Sequence, residues 1–325
     1  MENLDITYTC GMIAAREKYF LKEKIFRFCE LSAEEAFRML LECGFGSDAE
    51  DVTGVYDYEK LIEAEERKLD SFIREYAPSN AIAAYLLSPR DFHNAKAYIK
   101  ATYLGESPEK MLVGQGVIFL TTLEKCVVEN DFSSLEEYPF LKDACEQATK
   151  LLQEEPSGAK IGIVFERALF SHLLSLSKKS SMLRALLTAK VDMTNILTAF
   201  RAGEEKMALN AYLPGGKLKE SDLKRLFETD EEHAVKAFAG TPYGAFVKTC
   251  FAAKAKGLPF TEAERILSSY DGAYFAKRKY DLQRNEPFLF YVYRHKAENA
   301  NVRIVFACLL AGLSGQEIKR RLRTF

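Results

Sequence analysis

The chain has 325 residues, of which 48% are apolar and 28% charged, the balance of a folded protein rather than a disordered one. Its 45 Lys and Arg against 47 Asp and Glu leave a formal charge of -2, which argues against a surface built to coat nucleic acid, since such domains are strongly basic. The length is that of roughly two or three ordinary domains.

The opening "MENLDITYTC" lacks a basic region followed by an apolar core, so no secretion signal is expected. From there the periodicity is helical almost throughout. "EEAFRMLLECGF", "EKLIEAEERKLDSFIREY", "IGIVFERALFSHLLSL" and "SMLRALLTAK" each place apolar residues three and four apart. Gly and Pro gather between these runs, in "CGFGSD", "EEPSG", "LPGG" and "AKGLP", and act as helix stops. "PFLFYVYR", from Pro287, is the most strand-like stretch and suits a helix equally well. The longest apolar runs, such as "IVFACLLAG" from Ile304, are about half the ~20 residues needed to span a bilayer. The expected fold class is all-α.

One polar pair recurs. "DFHNAKAYIKATYLGE" gives Asp91 and Asn94, "VDMTNILTAFRA" gives Asp192 and Asn195, and "ENANVRIV" gives Glu298 and Asn301. The repeat is deeper than the pair. "ERKLDSFI" from Glu66 aligns with "ERALFSHL" from Glu166, and "SAEEAF" at Ser32 with "SSLEEY" at Ser133. Gly114 follows Asp91 by 23 residues, as Gly215 follows Asp192. The third copy is anchored by "ENANVRIV" and "HAVKAFAGTPYGAF". Self-similarity of this kind marks a repeated helical lobe, with limits near residues 106 and 211. Asp91 and Asp192 are expected either to cap helices, with the Asn returning a hydrogen bond, or to share one helix face that binds a neighbouring helix. Both versions are structural, because a catalytic pair has no reason to be triplicated.

Other motifs carry less. "LPGGKLKES" resembles a phosphate loop, but Ala211 stands where a Gly is required and Leu218 where a Ser or Thr is. "GQGVIF" is too short for a dinucleotide fingerprint. The acidic "EEAFRMLLE" and "ETDEEH" contain no DDxxD or Glu-x-x-His and are expected to be solvated helix faces. Cys10, Cys29, Cys43, Cys126, Cys145, Cys250 and Cys308 show no CxxC and are expected to be reduced thiols that mostly fill core space. His93, His172, His233 and His295 lack a second ligand at helical metal spacing. The terminal "EIKRRLRTF" carries Arg320, Arg321 and Arg323, which either complement a helix dipole or meet an acidic partner or membrane headgroups.

Taken in order, "YTCGMIAAREKYF", "DFHNAKAYIKATYLGE", "FERALF", "VDMTNILTAFRA", "YLPGGKL" and "RHKAENANVRIVFACLLAGLSGQEIKRRL" span nearly the whole chain. This ordered set resembles the C-type subunits of prokaryotic V-type (A/V-type) ATP synthases, whose equivalents in vacuolar ATPases are the d-type subunits. The resemblance implies three similar helical lobes, 1–106, 107–211 and 212–325, around a pseudo-threefold axis in a funnel. It implies a non-catalytic central-stalk component on the cytoplasmic face of the membrane, joining shaft subunits of the D and F type to the membrane rotor ring. Whether the machine moves H⁺ or Na⁺ is set elsewhere. No cofactor, metal, nucleic acid or small-molecule substrate is implied. The competing expectation is a helical-repeat adaptor unrelated to ATPases.

Overall fold

The computed structural model describes residues 6–21, 23–154, 157–228, 230–277, 279 and 285–323. Parts of "MENLD", "EEPSG", "ETDEEH" and "RTF" lie outside them. The described residues are helical, with no strand among them. In chain order the helices are α1 (Ile6–Arg16), α2 (Lys24–Phe28), α3 (Ala33–Glu42), α4 (Tyr58–Tyr76), α5 (Asn80–Leu104), α6 (Leu120–Glu129), α7 (Pro139–Glu154) and α8 (Gly158–Leu176). They continue as α9 (Ser181–Ala202), α10 (Glu205–Asn210), α11 (Glu220–Glu228), α12 (Glu231–Ala239), α13 (Gly244–Ala255), α14 (Thr261–Ala276), α15 (Glu286–Leu310) and α16 (Gly315–Arg321). The all-α expectation holds. "PFLFYVYR" opens α15, with Pro287 in the first turn, where a missing N–H costs nothing.

The chain divides into two compact units, residues 1–83 with 268–325, and residues 84–267. In the first, α4 buries Leu61, Ile62, Leu69, Phe72, Ile73 and Tyr76, a stripe at helical spacing that faces α15. Phe72 stacks on Phe288 at 5.6 Å between ring centroids and meets Tyr291 at 4.8 Å. Phe28, Leu40, Ile62, Val302, Val305, Phe306 and Ile318 share one apolar cluster. Helices α3 and α16 both begin with a capping box, Ser32 with Glu35 and Ser314 with Glu317. By contrast Ser133, the sequence match to Ser32, opens only a short 3-10 turn.

In the second unit, Phe92, Ala95 and Ile99 of α5 pack with Leu123 and Cys126 of α6, Ala144, Cys145 and Ala148 of α7, and Ile161 and Phe165 of α8. Helix α9 is buried around most of its circumference, from Leu183 to Phe200. Such a helix has little use for polar side chains unless each is satisfied inside the protein. Asp192 and Asn195 sit in it nonetheless.

Candidate functional site

Asp91 lies in the middle of α5 and Asp192 in the middle of α9, so neither is an N-cap. The cap of α9 is Ser180, whose hydroxyl accepts from the Leu183 N–H. Of the two expectations the shared helix face is correct, but its partner is not a neighbouring helix. It is a loop further along the chain, directly after α5 for one pair and beyond α10 for the other. Asp192 accepts from the N–H groups of Lys217 at 3.0 Å and Leu218 at 2.9 Å, and from the Tyr243 hydroxyl at 2.6 Å. One turn on, Asn195 donates to the Leu213 carbonyl at 2.9 Å and accepts from the Leu213 N–H at 2.8 Å.

This geometry explains the residue types. An ionised carboxylate is acceptor-only, and two successive N–H groups with a hydroxyl satisfy it without water. A carboxamide has both a donor and an acceptor, so Asn195 grips both polar groups of one backbone residue, as a neighbouring strand would. Two positions three apart on a helix stack on one face, which lets both grips close on one loop.

The same clasp is built from α5. Asp91 accepts from Val117 at 2.9 Å and Ile118 at 3.0 Å, while Asn94 accepts from the Val113 N–H at 2.9 Å and donates to its carbonyl at 3.3 Å. Asp91, Asn94, Asp192 and Asn195 are each at most 2% exposed. The glycines that lie against the carboxylates are Gly116 and Gly216, next to or near the Gly114 and Gly215 matched in the sequence. A Cβ on Gly116 would lie 2.2 Å from the Asp91 Oδ1, and one on Gly216 would lie 2.0 Å from the Asp192 Oδ1. The carboxylate can approach only a bare backbone. The interval from the aspartate is one residue longer in the first copy, so equal spacing from the two aspartates does not pick out the equivalent pair. "LPGGKL" does offer its N–H groups to an anion, and that anion is Asp192 of the same chain.

The third pair departs from the pattern. Asn301 keeps its role and grips Arg323, accepting from its N–H at 2.8 Å and donating to its carbonyl at 3.0 Å. Glu298, longer by a methylene, instead accepts from the Leu21 N–H at 2.8 Å, 277 residues away in sequence. Burial pushes its carboxyl up to about 7, against the lowering effect of that bond and of His295 and Arg294.

The Glu-Arg match also goes further than two copies. Glu-Arg-x-Leu-x-Ser occurs three times: Glu66 to Ser71 on α4, Glu166 to Ser171 on α8, and Glu264 to Ser269 on α14. The third copy starts 98 residues after the second, a spacing slightly shorter than that between the first two. Each of these glutamates faces cations of a clasp-bearing helix. Arg303 of α15 reaches Glu66 at 3.5 Å and Glu59 at 2.9 Å, and Arg201 of α9 pairs with Glu264. Burial raises the Glu166 carboxyl, while the fields of Lys96 on α5 and Arg201 pull it down.

The terminal arginines differ in setting. Arg320 and Arg321 on α16 are exposed, whereas the Arg323 backbone is held by Asn301 and burial lowers its side chain. Lys319 pairs with Glu30. Among the described residues no group of three His, Cys, Asp or Glu is arranged to hold a metal, and no helix is long and apolar enough to cross a membrane. Cys29, Cys126, Cys145, Cys250 and Cys308 are buried.

No curated protein matches the chain. A family model described as ATP synthase (C/AC39) subunit matches residues 9–321, a span that takes in all three polar pairs, all three Glu-Arg elements and the whole of α16. The unrelated-adaptor expectation is thereby set aside, and the chain belongs to the ATP synthase (C/AC39) subunit family.

Proposed function

We propose that this chain is the non-catalytic socket of a rotary V-type ATPase or ATP synthase. In this reading it is a central-stalk piece that receives the tip of a shaft of D- and F-type subunits and docks on the membrane rotor ring, at the cytoplasmic face, in service of H⁺ or Na⁺ transport. The observation that carries the reading is the family match over residues 9–321.

Physical features support it. A part that passes torque must resist shear between its elements. In the clasps, buried side chains bind loops back to the helices that precede them, so a loop cannot slide without orphaning buried polar groups. Three lobes, residues 1–106, 107–211 and 212–325, each carry one polar-pair helix and one Glu-Arg helix. Arg320 and Arg321 are suited to the acidic or polar loops of a ring and to lipid headgroups, because α16 presents them to solvent.

Affinity capture from native membranes, with partners identified by mass, tests the reading. Shaft and ring subunits are the expected partners, and recovery of soluble partners alone overturns it. Reversing the charge of Arg320 and Arg321 should weaken membrane attachment as high salt does in the wild type. Unchanged attachment at low salt would leave them as ordinary helix-end cations. Calorimetry should detect no micromolar binding of Mg²⁺-ATP by the isolated chain.

A further inference from the structure

Glu298 is where the third clasp exchanges its expected partner for the leading segment, residues 6–21. Beside it lies a cavity of about 750 Å³, walled by Arg16, Tyr19 and Phe20 of that segment, by α4, by the loop of Cys43 to Asp48, and by Tyr291, His295 and Glu298 of α15. Phe20 packs on Tyr291 at 5.4 Å and on His295 at 5.9 Å, so the segment lies directly on the helix that carries Glu298. We propose that Glu298 makes the leading segment a proton-linked strap, which seats on α15 with uptake of a proton and loosens as that proton is lost.

The charged surroundings favour this behaviour. On α4, Glu65 accepts from the Gly46 N–H and from Lys68, each at 2.9 Å, and lies 3.4 Å from the His295 Nε2. Burial alone would raise Glu65, but these bonds outweigh it and hold the carboxyl down to about 2. Glu65 is therefore a permanent negative charge that opposes ionisation of Glu298. The cations nearby are shared with other partners. Lys68 also meets Asp48 at 3.6 Å, Arg294 meets Glu17 of the strap at 3.8 Å, and the Arg16 guanidinium lies over the Phe72 ring at 4.9 Å. Arg67 and Glu75 complete the charged lining of the cavity.

The sign follows from burial. Seated, the Glu298 carboxyl titrates near 7 instead of its usual 4.5, chiefly because it is cut off from water. Released with the strap, it regains water and returns toward the usual value. The seated form therefore holds the proton more tightly, and rising pH favours release. A shift from 4.5 to about 7 makes seating about 30-fold more favourable at pH 5.5 than at pH 8 when release hydrates the carboxyl fully, and less where hydration is partial.

Amide hydrogen exchange of residues 6–21 in the full chain tests the proposal, after correction for the intrinsic pH dependence of exchange. Protection should fall, on the order of tenfold, as pH rises from 5.5, and level off above about 7. Glu298→Gln keeps an acceptor for the Leu21 N–H and carries no charge, so its protection should stay high and flat with pH. His295→Gln should retain the wild-type dependence. A flat wild-type profile overturns the strap, as does a fall that is already complete near pH 4.5. So does loss of the dependence in His295→Gln with its survival in Glu298→Gln. Should Glu298→Gln not fold, the pH at which the wild-type fall levels off and the His295→Gln profile decide the matter.

Discussion

Replacing Asn195 with Leu removes both grips on Leu213, which is 1% exposed, and leaves its N–H and carbonyl with no partner. Each orphaned group costs about 1–3 kcal/mol, so the two together cost about 2–6. Burying a leucine in place of an amide returns part of this, roughly 1–2 kcal/mol where the side chain fits. A net loss of about 3 kcal/mol is expected. Urea unfolding followed by far-UV circular dichroism should show the lowered midpoint. Hydrogen exchange should show the Leu213 amide losing protection ahead of the α9 interior. Two results would refute the reasoning. One is a variant with wild-type stability and a still-protected Leu213 amide. The other is a variant of unchanged stability that fails to assemble, which would make the clasp an interface rather than an internal brace.

Gly216→Ala and Gly116→Ala should each destabilise by about 1–3 kcal/mol, because the new methyl displaces the Asp192 or Asp91 carboxylate. Gly162→Ala, within α8 and with nothing in reach of the added carbon, should stabilise by up to about 1 kcal/mol in the same urea assay. Glu65 is held below its usual range, so its contribution is present above pH 4.5 and lost as pH falls toward 2. The stability gap between wild type and Glu65→Gln should therefore narrow over that interval in denaturation series at several pH values. Burial raises the Cys145 thiol and pushes Cys250 up to about 12, so both should resist a thiol reagent at pH 8 until the chain unfolds, after the half-exposed Cys43 has reacted.

The sequence shows the acid and asparagine because they stand three apart on one helix and recur about a hundred residues apart. Their partners are hidden for a physical reason. Backbone N–H and carbonyl groups have no sequence signature, and the only trace of the loops is the glycine that admits the carboxylate. Equal spacing points to Gly114 and Gly215 instead of Gly116 and Gly216, since the interval from the aspartate is a residue longer in the first copy. The partner of Glu298 lies 277 residues away, and nothing local announces it. The third Glu-Arg element, by contrast, is readable at Glu264 and Arg265 but falls outside the spacing of the first two. Helical character is legible nearly throughout, because apolar residues recur at steps of three and four; "PFLFYVYR", which suits either period, is the exception.

The arrangement of the two units sets the order in which a ribosome can complete them. Residues 84–267 are continuous, and the cluster that joins Phe92, Leu123, Cys145 and Phe165 lies wholly within them. The other unit joins residues 1–83 to residues 268–325. The apolar faces around Phe28, Leu40 and Ile62 therefore emerge first and stay uncovered until Val302, Val305 and Phe306 arrive. During that interval the nascent chain is a client for any chaperone that binds exposed helical apolar surface. A stall in translation before α15 would leave a folded middle carrying a sticky, unfinished beginning.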